Sequence, residues 1–127
     1  MTENEAATVI VDCAYRVHTT LGPGLLESVY EIVLAHEIRK RGLVVLRQVP
    51  IGVRYDDLTF EEGFRADLVV ADCVIVEVKS TEAHHTIHKK QLLTYLRLSG
   101  KRLGLLINFG MPLLKDGVSR VANGLDS

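Results

Sequence analysis

Residues 1–41 carry hydrophobic side chains at the three- and four-residue spacing that is typical of helices with one buried face. In residues 5–21 these are Ala6, Val9, Ile10, Cys13, Ala14, Val17 and Leu21. Gly22-Pro23-Gly24 ends the pattern, because proline cannot continue a helix and glycine relaxes the turn. A second helix is predicted over residues 25–41, with Gly42 as its C-terminal cap.

The hydrophobic period then changes from about 3.6 to about 2, which predicts strands. Val49, Ile51, Val53 and Tyr55 form the hydrophobic side of a first strand, in which Pro50 indicates a sheet edge or a bulge. Turns at residues 56–57 and 71–73 lead to strands over residues 59–70 and 74–79. Residues 83–99 return to helical spacing, residues 103–109 are a short buried strand, and residues 117–122 are a candidate final strand.

The predicted order is therefore α-α-β-β-β-α-β, with one further β at the end. The first three strands should form an antiparallel meander, and the β-α-β unit over residues 74–109 should be a right-handed parallel crossover. This is an α/β fold with a mixed β-sheet flanked by helices. Because the 127 residues contain no repeat, linker or change of composition, we expect a single domain over residues 1–127.

Composition and charge exclude several classes of function. Fifteen Lys and Arg against sixteen Asp and Glu leave a net charge of -1, so no bulk positive charge attracts nucleic acid or an anionic membrane. The apolar runs are too short to span a bilayer, and the acidic start lacks the basic region of a signal peptide. Cys13 and Cys73 form neither a CxxC motif nor a dense cysteine framework, so we expect both to be reduced, structural thiols. We therefore expect a soluble, cytoplasmic protein without a membrane partner.

Two carboxylates are predicted to face each other in the second hairpin. If its turn is centred on Asp72, Asp67 lies opposite Glu77 with Cβ atoms about 5 Å apart, and Lys79 shares their face. Opposed like charges destabilise a strand pair, and a divalent cation such as Mg²⁺, Mn²⁺ or Ca²⁺ would offset them. The alternative is a solvated strand face with an ordinary ion pair. A one-residue change of register would separate the two carboxylates.

Further polar candidates lie on the helices. His84, His88, Gln91 and Tyr95 have the spacing of one helical stripe, which faces either the carboxylate site or solvent. Glu27 lies early in the second helix, where the helix dipole alone would also favour a carboxylate.

Several other functions lack a supporting motif. His84, His85 and His88 do not predict a zinc site, because no HExxH motif or paired cysteines accompany them. Tyr30 and Tyr55 are interpreted as core residues and not as platforms for nucleobases. The sequence contains no P-loop, GxGxxG or GxSxG motif, so nucleotide binding and serine hydrolysis have no support.

Asp67, nine intervening residues and then Glu77-Val78-Lys79 resemble the core of the PD-(D/E)xK nuclease superfamily. The segment Gly24-Leu25-Leu26-Glu27-Ser28-Val29-Tyr30 is similar to the motif that names the small bacterial and archaeal GxxExxY family. The resemblance continues through Arg65-Ala66-Asp67, Gln91 with Tyr95, and Leu106-Ile107-Asn108-Phe109-Gly110, and covers nearly the whole chain. Ala66 replaces the proline of the superfamily name, a position that ligates nothing.

The resemblance implies a restriction-endonuclease-like fold and a phosphodiesterase site that depends on Mg²⁺, with Mn²⁺ as a substitute. It implies that Asp67, Glu77 and the backbone carbonyl of Val78 ligate the metal. Lys79 would position or activate the attacking water, and Glu27 would match the helical acid that some members add to the metal site. The residues that would support the substrate or the active site are Gln91, Tyr95 and Tyr30.

The sequence thus leaves three functions open. The first is a metal-dependent nuclease, favoured by intact Asp67, Glu77 and Lys79. The second is a non-catalytic binding or assembly module on the same fold, favoured by the absence of a basic excess, and the third is a metal-binding protein without catalysis. Nucleic acid is the expected partner, bound weakly without metal, and DNA and RNA are both open. A homodimer would supply the two sites that double-strand cleavage needs.

Overall fold

A computed structural model describes residues 1–83 and 86–125. Its elements, in chain order, are α1 (Glu3–Leu21), α2 (Glu27–Lys40), β1 (Val45–Tyr55), β2 (Leu58–Val70), β3 (Val74–Lys79), α3 (Thr86–Ser99), β4 (Leu103–Asn108), a 3-10 turn (Leu114–Asp116) and β5 (Val118–Ala122). The predicted α/β order is confirmed, including the final strand. His84 and His85, which fall in the helix predicted over residues 83–99, lie outside the described residues.

The five strands form one sheet in the order β1-β2-β3-β4-β5. β1, β2 and β3 are an antiparallel meander, β3 and β4 are parallel, and β4 and β5 are antiparallel. The meander and the parallel unit are as predicted, and Pro50 lies in an edge strand. β1 begins at Val45, four residues before Val49, where the predicted alternation begins. The pattern missed this first part of the strand because Gln48 adopts a left-handed backbone (φ 52°), which interrupts the period of two.

Helices cover both faces of the sheet. Ile10 and Ala14 of α1 and Leu34 of α2 belong to one buried cluster, which includes Val76 of β3. On the other face, α3 contributes Leu92 and Leu96 to a second cluster, with Val69, Ile75 and Leu106. Burial of each such aliphatic side chain contributes roughly 1.5–3 kcal/mol. The two clusters therefore hold α2 and α3 against opposite faces of the central strands.

Tyr30 fixes the connection between α1 and α2. Its buried ring stacks on Phe109, with centroids 4.6 Å apart and planes 3° from parallel. The hydroxyl donates to the Gly22 carbonyl at 2.5 Å and accepts from the Leu25 N–H at 3.1 Å. Tyr30 is thus the core residue that the sequence predicted, and its hydroxyl orders the loop that precedes Glu27.

The β1–β2 hairpin extends beyond β3. β2 pairs with β3 only over Leu68–Val70, whereas its pairing with β1 continues to Leu58 opposite Tyr55. Tyr55 is 68% exposed at the end of this hairpin, so its assignment to the core is wrong. A period of two identifies a strand with one apolar side, but not whether a second layer covers that side.

Cys13 is buried in α1 and Cys73 is partly buried next to β3, and both are free thiols, as predicted. In the part of the chain that is described, none of the helices has the length and hydrophobicity needed to cross a bilayer.

Candidate active site

Asp67 and Glu77 lie where β2 and β3 separate. Val70 pairs with Val74, Val69 with Ile75, and Leu68 with Val76, which centres the hairpin on Asp72. One step further in this register brings Asp67 opposite Glu77. The predicted register, on which the carboxylate pair depends, is therefore confirmed.

Each carboxylate of the pair is held by the backbone of the opposite strand. The Asp67 N–H donates to Glu77 Oε2 at 2.8 Å, and the Val78 N–H donates to Asp67 Oδ2 at 2.8 Å. Hydrogen bonds from backbone N–H groups to carboxylates are among the stronger ones in proteins. The exchange orients both side chains and uses one oxygen of each, Asp67 Oδ2 and Glu77 Oε2.

The environment of the pair disfavours two negative charges. Glu77 is only 8% exposed, and its burial, followed by the charge of Asp67, raises the pKa of the Glu77 carboxyl to about 8. Burial also raises the pKa of Asp67, whereas the Val78 N–H and the charge of Lys79 act in the opposite direction. Without a cation, the pair therefore retains a proton at neutral pH.

Lys79 ends β3, two residues after Glu77, and its positive charge offsets part of the rise in the pKa of both carboxyls. It lies opposite Asn108 in the parallel β3–β4 ladder. Asn108 is buried, and its Oδ1 accepts from the N–H groups of Thr81 (3.0 Å) and Gly110 (2.9 Å). Asn108 therefore orders the chain that follows Lys79, a role that the sequence analysis did not assign to it.

α3 brings Tyr95 towards the carboxylates. The Tyr95 ring stacks on Phe64 of β2, with centroids 4.0 Å apart and planes 5° from parallel. Burial raises the pKa of the Tyr95 hydroxyl, and the charges of Glu77 and Asp67 raise it further. Gln91, one turn earlier on α3, is exposed. Of the predicted stripe, Tyr95 is therefore near enough for the charges of the pair to act on its hydroxyl, and the first member, His84, lies outside the described residues.

A second carboxylate of α2, Glu31, also acts on the pair. Glu31 is 5% exposed, and its negative charge raises the pKa of Asp67 and of Glu77. Glu27 lies one turn earlier and is exposed, so its predicted role in the site stays a prediction. Glu31 follows Glu27 by four residues, on the same side of the helix, and the sequence analysis did not single it out.

Glu31 is held by two residues of β1. Its Oε2 accepts from Arg47 Nε at 3.0 Å and Nη2 at 2.7 Å, and its Oε1 accepts from Gln48 Nε2 at 2.6 Å. Gln48 Nε2 also lies 3.4 Å from Asp67 Oδ1, so this amide connects the carboxylate of α2 with that of β2. The opposite amide orientation would direct the Gln48 carbonyl oxygen at two carboxylates, which supports the assignment.

The backbone at Gln48 departs from an ordinary strand. Its φ of 52° is left-handed, a conformation that costs a non-glycine residue on the order of 1 kcal/mol or more. Arg47 and Val49 pair with β2 on either side, opposite Leu68 and Ala66. The irregularity therefore falls opposite Asp67, where it allows the Gln48 side chain to reach both carboxylates.

The donor chemistry of the pair fits a hard divalent cation. Asp67, Glu77 and the Val78 carbonyl are oxygen donors of the kind that hard cations prefer, and Mg²⁺ is commonly bound by one or two carboxylates together with waters and phosphate oxygens. In residues 1–83 and 86–125, no three His, Cys, Asp or Glu side chains converge into a complete metal cage. The pair therefore fits an ion that keeps part of its hydration shell better than an ion that needs only protein ligands.

Comparison with known proteins connects this geometry with a family. A search of curated proteins finds no match. A family model described as the PD-(D/E)XK nuclease superfamily matches residues 4–121, which include every element from α2 to β4 and both residues of the carboxylate pair. The match covers far more than half of the chain. The chain therefore belongs to the PD-(D/E)XK nuclease superfamily.

Proposed function

We propose that this protein is a metal-dependent nuclease that hydrolyses phosphodiester bonds of nucleic acid. The observation that carries the proposal is the pairing of Asp67 with Glu77 across two strands, in an environment that disfavours their charges, with Lys79 two residues further on. The cofactor is Mg²⁺, for which Mn²⁺ can substitute. On the Gly24–Tyr30 motif, we assign the chain to the GxxExxY family of bacteria and archaea, as a single domain over residues 1–127 in the cytoplasm.

Three groups would hold the cation: the carboxylates of Asp67 and Glu77 and the backbone carbonyl of Val78. Glu27, in the exposed first turn of α2, would add a carboxylate from the side of the substrate. A bound Mg²⁺ would neutralise the carboxylates, polarise the phosphodiester and lower the pKa of a coordinated water. Glu31 would keep its hydrogen bonds to Arg47 and Gln48, and would therefore position these residues beside the site without binding the cation.

The other polar residues would orient the reactants. The Lys79 ammonium would donate to the attacking water or to a phosphate oxygen and stabilise the negative charge that develops during attack. The Tyr95 hydroxyl, fixed by the stack of its ring on Phe64, would donate to a phosphate oxygen, and exposed Gln91 would contact the substrate further along α3. Tyr30 supports the site indirectly through the loop before Glu27.

The substrate would be bound mainly through the cation. With a net charge of -1, the chain has no general attraction for a polyanion, so binding should be weak without metal. Either DNA or RNA would satisfy this chemistry. A homodimer would bring together two sites for cleavage of both strands of a duplex.

A second candidate function follows from the same hydrogen bonds. Asp67 and Glu77 also cross-link β2 and β3, and a protonated Glu77 makes this arrangement stable without a cation. In that case, the pair is a structural feature of a binding or assembly module that cleaves nothing.

Calorimetry with Mg²⁺ and Mn²⁺ on the wild type, Asp67→Ala and Asp57→Ala distinguishes the two functions. Asp57 is an exposed carboxylate at the turn of the β1–β2 hairpin and serves as the matched control. The same samples are assayed on single- and double-stranded DNA and RNA. Metal binding and cleavage that are lost in Asp67→Ala but retained in Asp57→Ala support the nuclease. Equal heats for all three proteins, without cleavage, contradict it and leave the binding module.

A further inference from the structure

A cleft of about 600 Å³ opens at the carboxyl ends of the parallel strands β3 and β4. Ser80, Thr81 and Glu82, which directly follow Lys79, line one side of it, and Leu25 of the α1–α2 connection lines another. Open α/β sheets generally bind their ligands outside the carboxyl ends of such strands. The cleft therefore lies at the edge of the sheet where a ligand is expected, and the residues that follow Lys79 form part of its wall.

The walls of the cleft are ordered by hydrogen bonds. Ser80 Oγ donates to the Leu25 carbonyl at 2.6 Å, which joins two of the walls. Buried Asn108 holds the Thr81 and Gly110 N–H groups with a single oxygen. Gly110 is required at this point, because a Cβ atom there would lie 2.3 Å from the Thr81 carbonyl oxygen. A cleft with fixed walls loses little conformational freedom when it binds a ligand.

The chemistry of the lining favours a base over a phosphate. Among the described residues that form the cleft there is no lysine or arginine, and Glu82 contributes a carboxylate. Pro23, Leu25 and Pro112 present apolar surface. A nucleobase has apolar faces together with N–H donors at its edge, and a carboxylate accepts from amino groups such as N4 of cytosine. The sugar-phosphate chain would stay outside, on the side of Lys79.

We propose that this cleft binds a single unstacked nucleobase of the substrate, so that the protein acts on unpaired nucleic acid. The inference rests on the proposed nuclease function and adds the class of substrate. A base inside a duplex has both faces stacked and its edge paired, and must leave the stack before it can enter such a cleft. Single strands, loops and ends meet this condition without melting a duplex.

Binding is measured in a Lys79→Ala background with Mg²⁺, which retains both carboxylates and removes the residue proposed to act on the water. The probes are a short cytosine-rich oligonucleotide, as DNA and as RNA, and the duplex that it forms with its complement. We expect about tenfold tighter binding of the single strand, since only that form places a base in the cleft without unpairing. Equal affinity for the two forms would overturn the proposal.

Substitutions in the cleft test where the base lies. Leu25→Asp adds a charge to an apolar wall and should weaken single-strand binding about tenfold. Leu58→Asp is the matched control, because Leu58 is an exposed leucine (56%, compared with 41% for Leu25) at the end of the β1–β2 hairpin, which extends beyond β3. Glu82→Gln should reduce the preference for cytosine-rich over thymine-rich strands. Equal effects of Leu25→Asp and Leu58→Asp would place the base elsewhere and contradict the proposal.

Cleavage by the wild type separates this inference from the proposed function. Cleavage of duplex and single strand at similar rates would retain the nuclease and reject the cleft as a base site. Selective binding of single strands by a wild-type protein that cleaves neither form would reject the nuclease and retain the cleft.

Discussion

Glu31 Oε1 accepts a hydrogen bond of 2.6 Å from Gln48 Nε2, and this contact joins helix α2 to strand β1 beside the carboxylate pair. The same Gln48 amide lies 3.4 Å from Asp67 Oδ1. A neutral donor that hydrogen-bonds to two carboxylates offsets part of their mutual repulsion. The Gln48 amide, with Arg47 on the other oxygen of Glu31, therefore makes a third acid tolerable here.

Gln48→Glu tests this relationship. The substitution keeps the shape of the side chain but replaces the donor with a carboxylate that faces Glu31 and Asp67. We expect the free energy of unfolding at pH 7 to fall by about 2 kcal/mol, because hydrogen bonds to charged groups are lost and like charges are brought together. Urea unfolding measures the change, and part of the loss should be recovered at pH 5 as carboxyls become protonated.

Gln48→Gly provides the control for the backbone. Glycine adopts a left-handed φ without the strain that glutamine carries at 52°, so loss of the amide should be partly offset by relief of that strain. We therefore expect Gln48→Gly to be less destabilising than Gln48→Glu. A Gln48→Glu protein as stable as the wild type at pH 7 would mean that the amide does not separate the carboxylates in solution.

The pKa of Glu77 predicts the pH dependence of stability in metal-free protein. Between pH 4.5, its ordinary pKa, and about 8, its pKa in the folded protein, the folded chain keeps a proton on Glu77 that the unfolded chain has released. The free energy of unfolding therefore falls as pH rises through this window. Glu77→Gln should remove this decrease and be more stable than the wild type at pH 8 by on the order of 3 kcal/mol.

Chemical unfolding from pH 5 to pH 8, after treatment with a chelator, measures this effect. Glu61→Gln, which removes an exposed carboxylate of β2, is the matched control and should keep the pH dependence of the wild type. If the wild type and Glu77→Gln lose stability in parallel as pH rises, Glu77 is already ionised in the folded protein and the prediction is wrong.

The carboxylate pair could be predicted from the sequence, whereas the contacts of Glu31 and Gln48 could not. The strand order, the turn centred on Asp72 and the juxtaposition of Asp67 with Glu77 depend on local signals, namely the period of two and the residues of the turn. A hairpin with a defined turn has a defined register. The opposed carboxylates could therefore be predicted from sequence alone.

The network around Glu31 could not be predicted in this way. It depends on how α2 packs across β1, a tertiary contact that no short-range pattern encodes. Glutamine also has no special preference for the left-handed region, so nothing in its type indicates the irregular backbone at Gln48. Tyr55 shows the same limit of short-range patterns. It occupies the same side of the alternating pattern as Val49, but Val49 packs against the cluster that includes residues of α3, whereas Tyr55 is exposed.

Magnesium should stabilise the folded protein through the carboxylate pair. An ion that binds only the folded state adds about 2.7 kcal/mol at one hundred times its Kd, which corresponds to a rise in Tm of about 10 °C for a domain of this size. Thermal unfolding with MgCl₂ is compared with KCl at equal ionic strength, which separates binding from screening. Asp67→Ala should lose the specific increase, and equal shifts in the two salts would argue against a metal site.

Lys79→Ala should separate metal binding from cleavage. The ammonium is not among the proposed metal ligands, so calorimetric Mg²⁺ affinity should stay within a few-fold of the wild type. Loss of one charged donor at a developing negative charge lowers kcat by about 10²–10³-fold, with a smaller change in KM. Lys115→Ala, at an exposed lysine of the 3-10 turn, is the control and should cleave as the wild type does. Unchanged kcat in Lys79→Ala would remove this residue from the mechanism.

Tyr30→Phe tests the loop that carries Leu25 and leads to Glu27. The ring keeps its stack on Phe109, but the Gly22 carbonyl and the Leu25 N–H lose their shared partner. We expect a loss of about 1–3 kcal/mol in the free energy of unfolding, as for other buried groups left without a hydrogen bond. Tyr15→Phe, at a half-exposed tyrosine of α1, should be nearly neutral.

The effect of Tyr30→Phe on ligands should follow the position of the loop. Asp67 and Glu77 are held by β2 and β3, so Mg²⁺ affinity should change little, whereas single-strand binding should weaken because Leu25 forms a wall of the cleft. Calorimetry with Mg²⁺ and fluorescence anisotropy with a labelled oligonucleotide measure the two separately. Loss of Mg²⁺ binding with unchanged oligonucleotide binding would reverse this assignment and connect the loop with the cation instead of the base.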